Sequence, residues 1–144
     1  MLNVLVVDDT CLSRVAIRSY LQSEGIRILE ASNGSKVLTN TFSSEYTMKD
    51  MDLVLVDIYM EGINGFDILQ ELCSKYPYIP FIAISSNSNK ETIMKAIKLG
   101  AKDFLVKPFT KEVLLKKLEG VGIQIPQTDE LDLNLDEDFV LVEK

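Results

Sequence analysis

The sequence predicts an α/β fold, a five-stranded parallel doubly wound sheet, a fold that commonly has the order 2-1-3-4-5. Three observations carry this. Short apolar runs rich in β-branched residues alternate strictly with amphipathic helical segments, so that βα is repeated five times. Successive parallel strands need a covering crossover, which the helices supply. The runs LNVLVV, DLVLV and PFIAI are apolar at almost every position, as strands buried on both faces are.

Each element has its own signal. Leu2–Val7 is an apolar run closed by Asp8-Asp9 and reads as the first strand. Cys11–Leu21 carries Leu12, Val15, Ala16 and Tyr20 as a helical stripe and ends near Gly25. Ile26–Ala31 is the second strand. Asn33-Gly34 is a turn signal that opens a short helix through Val37 and Leu38, and Ser43–Asp50 is a polar loop. Met51–Val56 is the third strand, ending at Asp57. Glu61–Gly65 is a loop with two glycines, and Phe66–Tyr76 is a helix with Phe66, Leu69, Leu72 and Cys73 on one face. Pro80–Ile84 is the fourth strand. Ser88 and Glu91 have capping-box spacing before a helix over Thr92–Leu99, which Gly100 closes. Asp103–Val106 is the fifth strand, Lys107-Pro108 a turn, and Thr110 caps a last helix to about Val121.

Length and composition bound what this fold can do. The chain of 144 residues suits one domain, since a domain takes roughly 100–200. Gly122–Pro126 divides it into a domain over 1–122 and an acidic tail or linker over 123–144. There is no histidine, which excludes Ser-His-Asp chemistry, histidine general bases and zincin-type zinc sites. No apolar run approaches the ~20 residues that span a bilayer, and the opening MLNVLVVDD lacks the basic flank of a signal peptide. Cys11 and Cys73 form no CxxC pair and read as free thiols of a cytoplasmic protein. The net charge is −7; residues 123–144 hold seven acids and one base, leaving a body close to neutral. Neither part offers a basic face to the phosphates of a nucleic acid.

The candidate site follows from the topology. In the order 2-1-3-4-5 the ligand crevice lies between strands 1 and 3 at their carboxyl ends. Asp8 and Asp9 follow strand 1 and Asp57 follows strand 3, so three carboxylates meet there. One aspartate alone is better explained as a cap or a turn residue. Three at adjacent strand ends repel unless a cation joins them or one takes a proton. Mg2+ suits, because it binds through one or two carboxylates, keeps several waters and leaves room for phosphate. Ser85 ends strand 4 with a hydroxyl donor and Lys107 ends strand 5 with a point positive charge. A carboxylate nucleophile, a metal and a cationic stabiliser together point to phosphoryl chemistry.

These residues, taken in order, resemble the receiver domain of two-component response regulators. The matching segments are Asp8-Asp9 with Arg14, Asp57 in DIYMEGING, Ser85 in FIAISS, and Lys107-Pro108 in GAKDFLVKPF. The resemblance covers about residues 2–121 and implies a flavodoxin-like (βα)5 fold of the chemotaxis-regulator kind. It implies that Asp57 accepts a phosphoryl group from a partner's phosphohistidine, the partner being a sensor histidine kinase or a phosphotransfer protein. It implies Mg2+ on Asp9, Asp57 and the Tyr59 backbone carbonyl, with Asp8 acting mostly through water. It further implies Ser85 and Lys107 on the phosphoryl oxygens, Ser85 and Phe104 as switch residues, and a cis Lys107-Pro108 peptide, which proline makes feasible. Tyr59 and Asn87 take positions that tune hydrolysis of the phosphoryl group. The output would pass to an unknown downstream protein, or a homodimer, through the face formed by the fourth helix, fifth strand and fifth helix.

Three positions depart from the family pattern: Glu61 stands for the usual proline, which predicts a looser loop, Ser86 for alanine, and Phe104 takes the place where tyrosine is also common. A degenerate receiver that binds partners without phosphate is the main alternative, and the complete set of five site residues speaks against it. A hydrolase with an aspartate nucleophile needs a second acid where Tyr59 stands. Flavin binding needs a phosphate cradle after strand 1, where Asp8 and Asp9 would repel it. The 22 residues after the domain are too few for a DNA-binding domain, so the expectation is a stand-alone receiver. Within them Leu131, Leu133 and Leu135 alternate with polar residues and Phe139–Val142 is apolar, which predicts a strand docked on an edge of this sheet or of a partner, the alternative being a segment that orders only on meeting a partner.

Overall fold

The structure, a computed structural model, describes residues 1–126. Its strands are β1 (Asn3–Val7), β2 (Arg27–Ala31), β3 (Leu53–Asp57), β4 (Phe81–Ser85) and β5 (Asp103–Val106), and its helices are α1 (Cys11–Gln22), α2 (Gly34–Leu38), α3 (Gly65–Leu72), α4 (Lys90–Lys98) and α5 (Lys111–Gly120). The strands form one parallel sheet in the order β2-β1-β3-β4-β5, the predicted topology. Alternate residues along each strand feed two separate cores. Leu5, Val7, Val54, Val56, Phe81 and Phe104 face α2, α3 and α4. Val4, Val6, Leu53, Leu55, Ile82 and Leu105 face α1 and α5. That is why β1, β3 and β4 are almost continuously apolar: each supplies both cores, whereas the edge strand β2 carries Arg27 and Glu30. Full burial of each Val, Leu or Ile here contributes about 1.5–3 kcal/mol.

Several elements start or face differently from the sequence expectation. In α1 the packed residues are Ile17 and Leu21, whereas Leu12, Val15 and Ala16 are exposed and only Tyr20 is partly covered. Both stripes have helical spacing, and it is the Ile17-Leu21 flank that lies against the sheet. A 3-10 turn over Met48–Asp50 interrupts the expected loop and closes on Met51, so β3 begins at Leu53. The helix α3 stops at Leu72 rather than Tyr76. Asn89, not Ser88, caps α4, its side chain accepting from the Thr92 amide at 2.9 Å. The reason is local: Asn87 N–H binds Ser85 Oγ at 2.9 Å and Asn89 N–H binds Asn87 Oδ1 at 3.0 Å. Those two turns lead the chain into α4, which begins at Lys90 with Asn89 as its cap.

The caps of α3 and α5 follow the usual chemistry, each worth about 1 kcal/mol, whereas Thr10 before α1 makes no side-chain cap bond. Asn64 and Asp67 form a reciprocal pair at the start of α3, 3.1 Å in each direction. Thr110 accepts from Val113 at 3.2 Å to start α5. Cys11 is exposed and Cys73 partly buried, both free, and burial pushes the Cys73 thiol up to about 11. Beyond α5 the chain turns back, with Ile123 buried against the α1 and α5 core. The expected strand within 131–142 lies outside the described residues. Among those described, no helix is long and apolar enough to cross a membrane.

Candidate functional site

Strand register assembles the site. Val7 of β1 is paired with Val56 of β3, so the next residues, Asp8 and Asp57, leave the sheet side by side. Asp57 is paired with Ile84 and Ser85 with Val106, which brings Ser85 and then Lys107 to the same edge. The chain therefore gathers all five predicted polar residues without any long loop. Arg14, one turn into α1, fixes the end of β1: its guanidinium donates to the Asp8 carbonyl at 2.6 Å and to Glu30 at 3.0 Å.

The Lys107 ammonium is the electrostatic centre. It donates to Asp57 Oδ2 at 2.8 Å, to Asp8 Oδ2 at 2.9 Å and to Ser13 Oγ at 3.1 Å, so all three of its N–H bonds are used. Asp8 and Asp57 are buried, 0% and 6% exposed. Burial raises the Asp57 pKa above 3.8 and the Asp8 charge adds to this; the Lys107 hydrogen bond opposes it without overcoming it. For Lys107 burial acts downward, but its hydrogen bonds to Asp57 and Asp8 prevail and hold the ammonium above 10.5.

Asp9 is exposed and joins the same cluster: one oxygen from each of Asp8, Asp9 and Asp57 lies within 4.8 Å of the others. Three carboxylates against one ammonium leave two negative charges unmatched. An oxygen-only donor set with that charge fits a hard divalent ion such as Mg2+. Two amides of the loop after β3 are tied to the acids, Tyr59 N–H to Asp57 Oδ1 at 3.1 Å and Glu61 N–H to Asp9 Oδ2 at 3.3 Å. The second bond is a tie that the proline usual at this place could not make. A proline at 61 has no N–H to give, whereas Glu61 holds the loop to Asp9.

Ser85 is 1% exposed, and its hydroxyl accepts from the Asn87 amide. That leaves the Ser85 proton without a partner among the described residues. Phe104 is buried in the core beneath α4. Two residues that the sequence reading overlooked also belong here. Ser13 lies in the first turn of α1, directly after the acid pair, and a hydroxyl at that place is the signal that could have found it. Thr92 is buried, and its Oγ1 shares a hydrogen bond with Tyr59 OH at 3.1 Å, joining the β3–α3 loop to α4. No spacing rule links residues 59 and 92, so only the fold reveals that pair.

This geometry agrees with what known proteins resemble the chain. The family model of the response regulator receiver domain matches residues 4–119. Chemotaxis protein CheY of Listeria monocytogenes is 32% identical over 120 residues, covering 83% of this chain and 97% of its own. A putative NtrX-like response regulator of Rickettsia felis is 37% identical over 121 residues, which are 81% of this chain and 24% of that protein. A cyclic di-GMP phosphodiesterase of Thermotoga maritima is 28% identical over 117 residues, and this chain spans only 30% of its length. Among solved structures, a chain of the CheX-CheY-BeF3-Mg2+ complex from Borrelia burgdorferi superposes with a TM-score of 0.76 at 26% identity, covering 85% of this chain and 90% of that one. Chemotaxis protein CheY4 of Vibrio cholerae superposes with a TM-score of 0.72 at 27% identity, covering 84% and 98%. With the family model spanning most of the chain and the acids, serine and lysine of the motif at one sheet edge, the chain belongs to the response regulator receiver domain family, in its CheY-like form.

Proposed function

We propose that this chain is a phosphorylation switch that takes a phosphoryl group on Asp57 from the phosphohistidine of a sensor kinase or phosphotransfer protein. The observation that supports it most directly is the shared Lys107 ammonium, bonded to Asp57 and Asp8 at 2.8 and 2.9 Å. An Asp57 oxygen attacks phosphorus; the P–O bond forms as the P–N bond breaks. The leaving imidazole keeps the electron pair and takes a proton. Lys107 moves from the Asp57 carboxylate to a phosphoryl oxygen, and Ser85 donates its free proton to another. Asp8, Asp9, Asp57 and the Tyr59 carbonyl are the residues that would hold Mg2+, which supplies positive charge beside the phosphoryl oxygens. The added group carries nearly two negative charges. By drawing Lys107 and Ser85 inward it shifts Phe104 and alters the face of α4, β5 and α5, where a downstream protein or a second copy binds.

Incubation with acetyl phosphate and Mg2+ tests this by intact mass. The wild-type chain is expected to gain one phosphoryl group, and Asp57→Asn none. Gain by Asp57→Asn at the wild-type rate would overturn the assignment, and no gain by wild type would favour a phosphate-independent binding module. A second expectation concerns Asp9. Removing one of the three carboxylates and a full charge should abolish the Mg2+-dependent shifts of the Asp8, Asp57 and Tyr59 amides in Asp9→Ala. An unchanged NMR titration would place the ion elsewhere.

A further inference from the structure

Three acceptors hold the Lys107 ammonium, and the chemistry of the site lays claim to two of them. On the function proposed above, Asp57 becomes an acyl phosphate, whose carboxyl group is no longer ionised. Asp8 is one of the residues that would hold Mg2+. The third acceptor is Ser13, whose Oγ lies 3.1 Å from Lys107 Nζ. Its hydroxyl is neutral and belongs neither to the metal set nor to the phosphoacceptor. Among the described residues it is the Lys107 partner that stays the same before and after phosphorylation.

The start of α1 leaves this hydroxyl free for that task. Ser13 is the third residue of the helix, a place from which a side chain often reaches back to the amide of the capping residue. Here the Thr10 amide is taken by Asp8 Oδ1 at 2.8 Å, and Ser13 turns to Lys107 instead. The backbone that carries it is anchored. Arg14, the next residue, donates to the Asp8 carbonyl at 2.6 Å and to Glu30 at 3.0 Å.

Without that hold the ammonium has somewhere to go. A cavity of about 270 Å3 opens beside Ser13 and Lys107, walled by Leu12, Ala16, Tyr20 and Phe109. An ammonium that swung into it would meet water and mostly apolar side chains, and would leave both carboxylates behind.

We propose that Ser13 is a positioning residue for phosphoryl transfer. Its hydroxyl keeps Lys107 in the crevice, so that the ammonium passes from the Asp57 carboxylate to a phosphoryl oxygen rather than out to solvent. Ser13 acts through Lys107 and takes no part in the bonds that form and break. The role in transfer rests on the proposed function; the hold on Lys107 does not.

Two measurements on the full chain test it. The first is the NMR signal of the Lys107 ammonium without phosphodonor or metal, assigned by its loss in Lys107→Arg. Its protons should exchange slowly with water in wild type and Ser13→Thr, and about tenfold faster in Ser13→Ala. The second is the rate of mass gain with acetyl phosphate and Mg2+. Ser13→Ala should lower the maximum rate about tenfold and leave the half-saturating donor concentration as it is, and Ser13→Thr should restore the rate. Ser19→Ala, which alters an exposed serine of the same helix, should match wild type in both. Wild-type rate in Ser13→Ala overturns the role, as does a rate in Ser13→Thr or Ser19→Ala as low as that of Ser13→Ala. Equal ammonium exchange in wild type and Ser13→Ala overturns the hold on Lys107. If wild type takes no phosphoryl group, the proposed function falls and the role in transfer with it, while the ammonium signal still judges the hold on Lys107 separately.

Discussion

Lys107→Ala is expected to lose about 3–5 kcal/mol of stability at neutral pH without added metal, because it leaves two buried carboxylates facing each other with no cation. The pH dependence follows from the shifts. The Lys107 pKa lies above 10.5, so in wild type the ammonium's contribution is complete below that and fades only as pH rises past its folded value. The Asp57 pKa is raised above 3.8, so ionised Asp57 opposes folding increasingly as pH rises from there. In the variant that opposition is no longer offset. The gap between variant and wild type should therefore shrink as the medium is acidified and Asp57 takes a proton. Saturating Mg2+ should also narrow the gap, by returning positive charge to the acids. Urea denaturation across pH, with and without Mg2+, measures both effects. A gap that is the same at pH 4 and pH 8 would mean that the ion pairs carry little of the stability. The variant should still take phosphate from acetyl phosphate at a reduced rate, yet show no phosphate-dependent change in binding its partner, since the residue that reports the charge is missing.

Gly65→Ala should be the most damaging single methyl group in the chain. A Cβ on Gly65 would collide with the Asp57 carbonyl oxygen and sit 2.7 Å from the Ile58 Cα, both backbone atoms that cannot rotate away. The glycine allows the first turn of α3 to rest on the end of β3, where its amide donates to the Ile58 carbonyl at 2.8 Å. Forcing these apart should cost about 2–4 kcal/mol and displace the phosphoacceptor strand end. Phosphorylation should fall along with stability. Gly120→Ala is the matched control: nothing lies within 4 Å of its added Cβ, and the residue ends a helix. It should be neutral or stabilising by about 0.5–1 kcal/mol. Comparable loss in both variants would show that crowding at β3 is not the cause.

Sheet order, the parallel pairing and the site's carboxylates, serine and lysine were all legible in the chain before any coordinates. The physical reason is that strands and site residues depend on local pattern, while the order is the one that doubly wound sheets commonly adopt. A strand buried on both faces must be apolar throughout, as Val4–Val7 and Leu53–Val56 are, and a polar residue at its carboxyl end then stands out against the run. The order 2-1-3-4-5 places those ends together. What tertiary structure alone decided is whatever required choosing between equivalent local patterns or joining distant ones. Leu12-Val15 and Ile17-Leu21 are equally good helical stripes, and only packing against the sheet selects the second. Ser88 and Asn89 are both capable caps, and only the folded chain shows that Asn89 takes the Thr92 amide. The Glu61 amide on Asp9, Ser13 beneath Lys107 and Tyr59 on Thr92 join residues far apart along the chain, and no residue's own propensity encodes its partner in space.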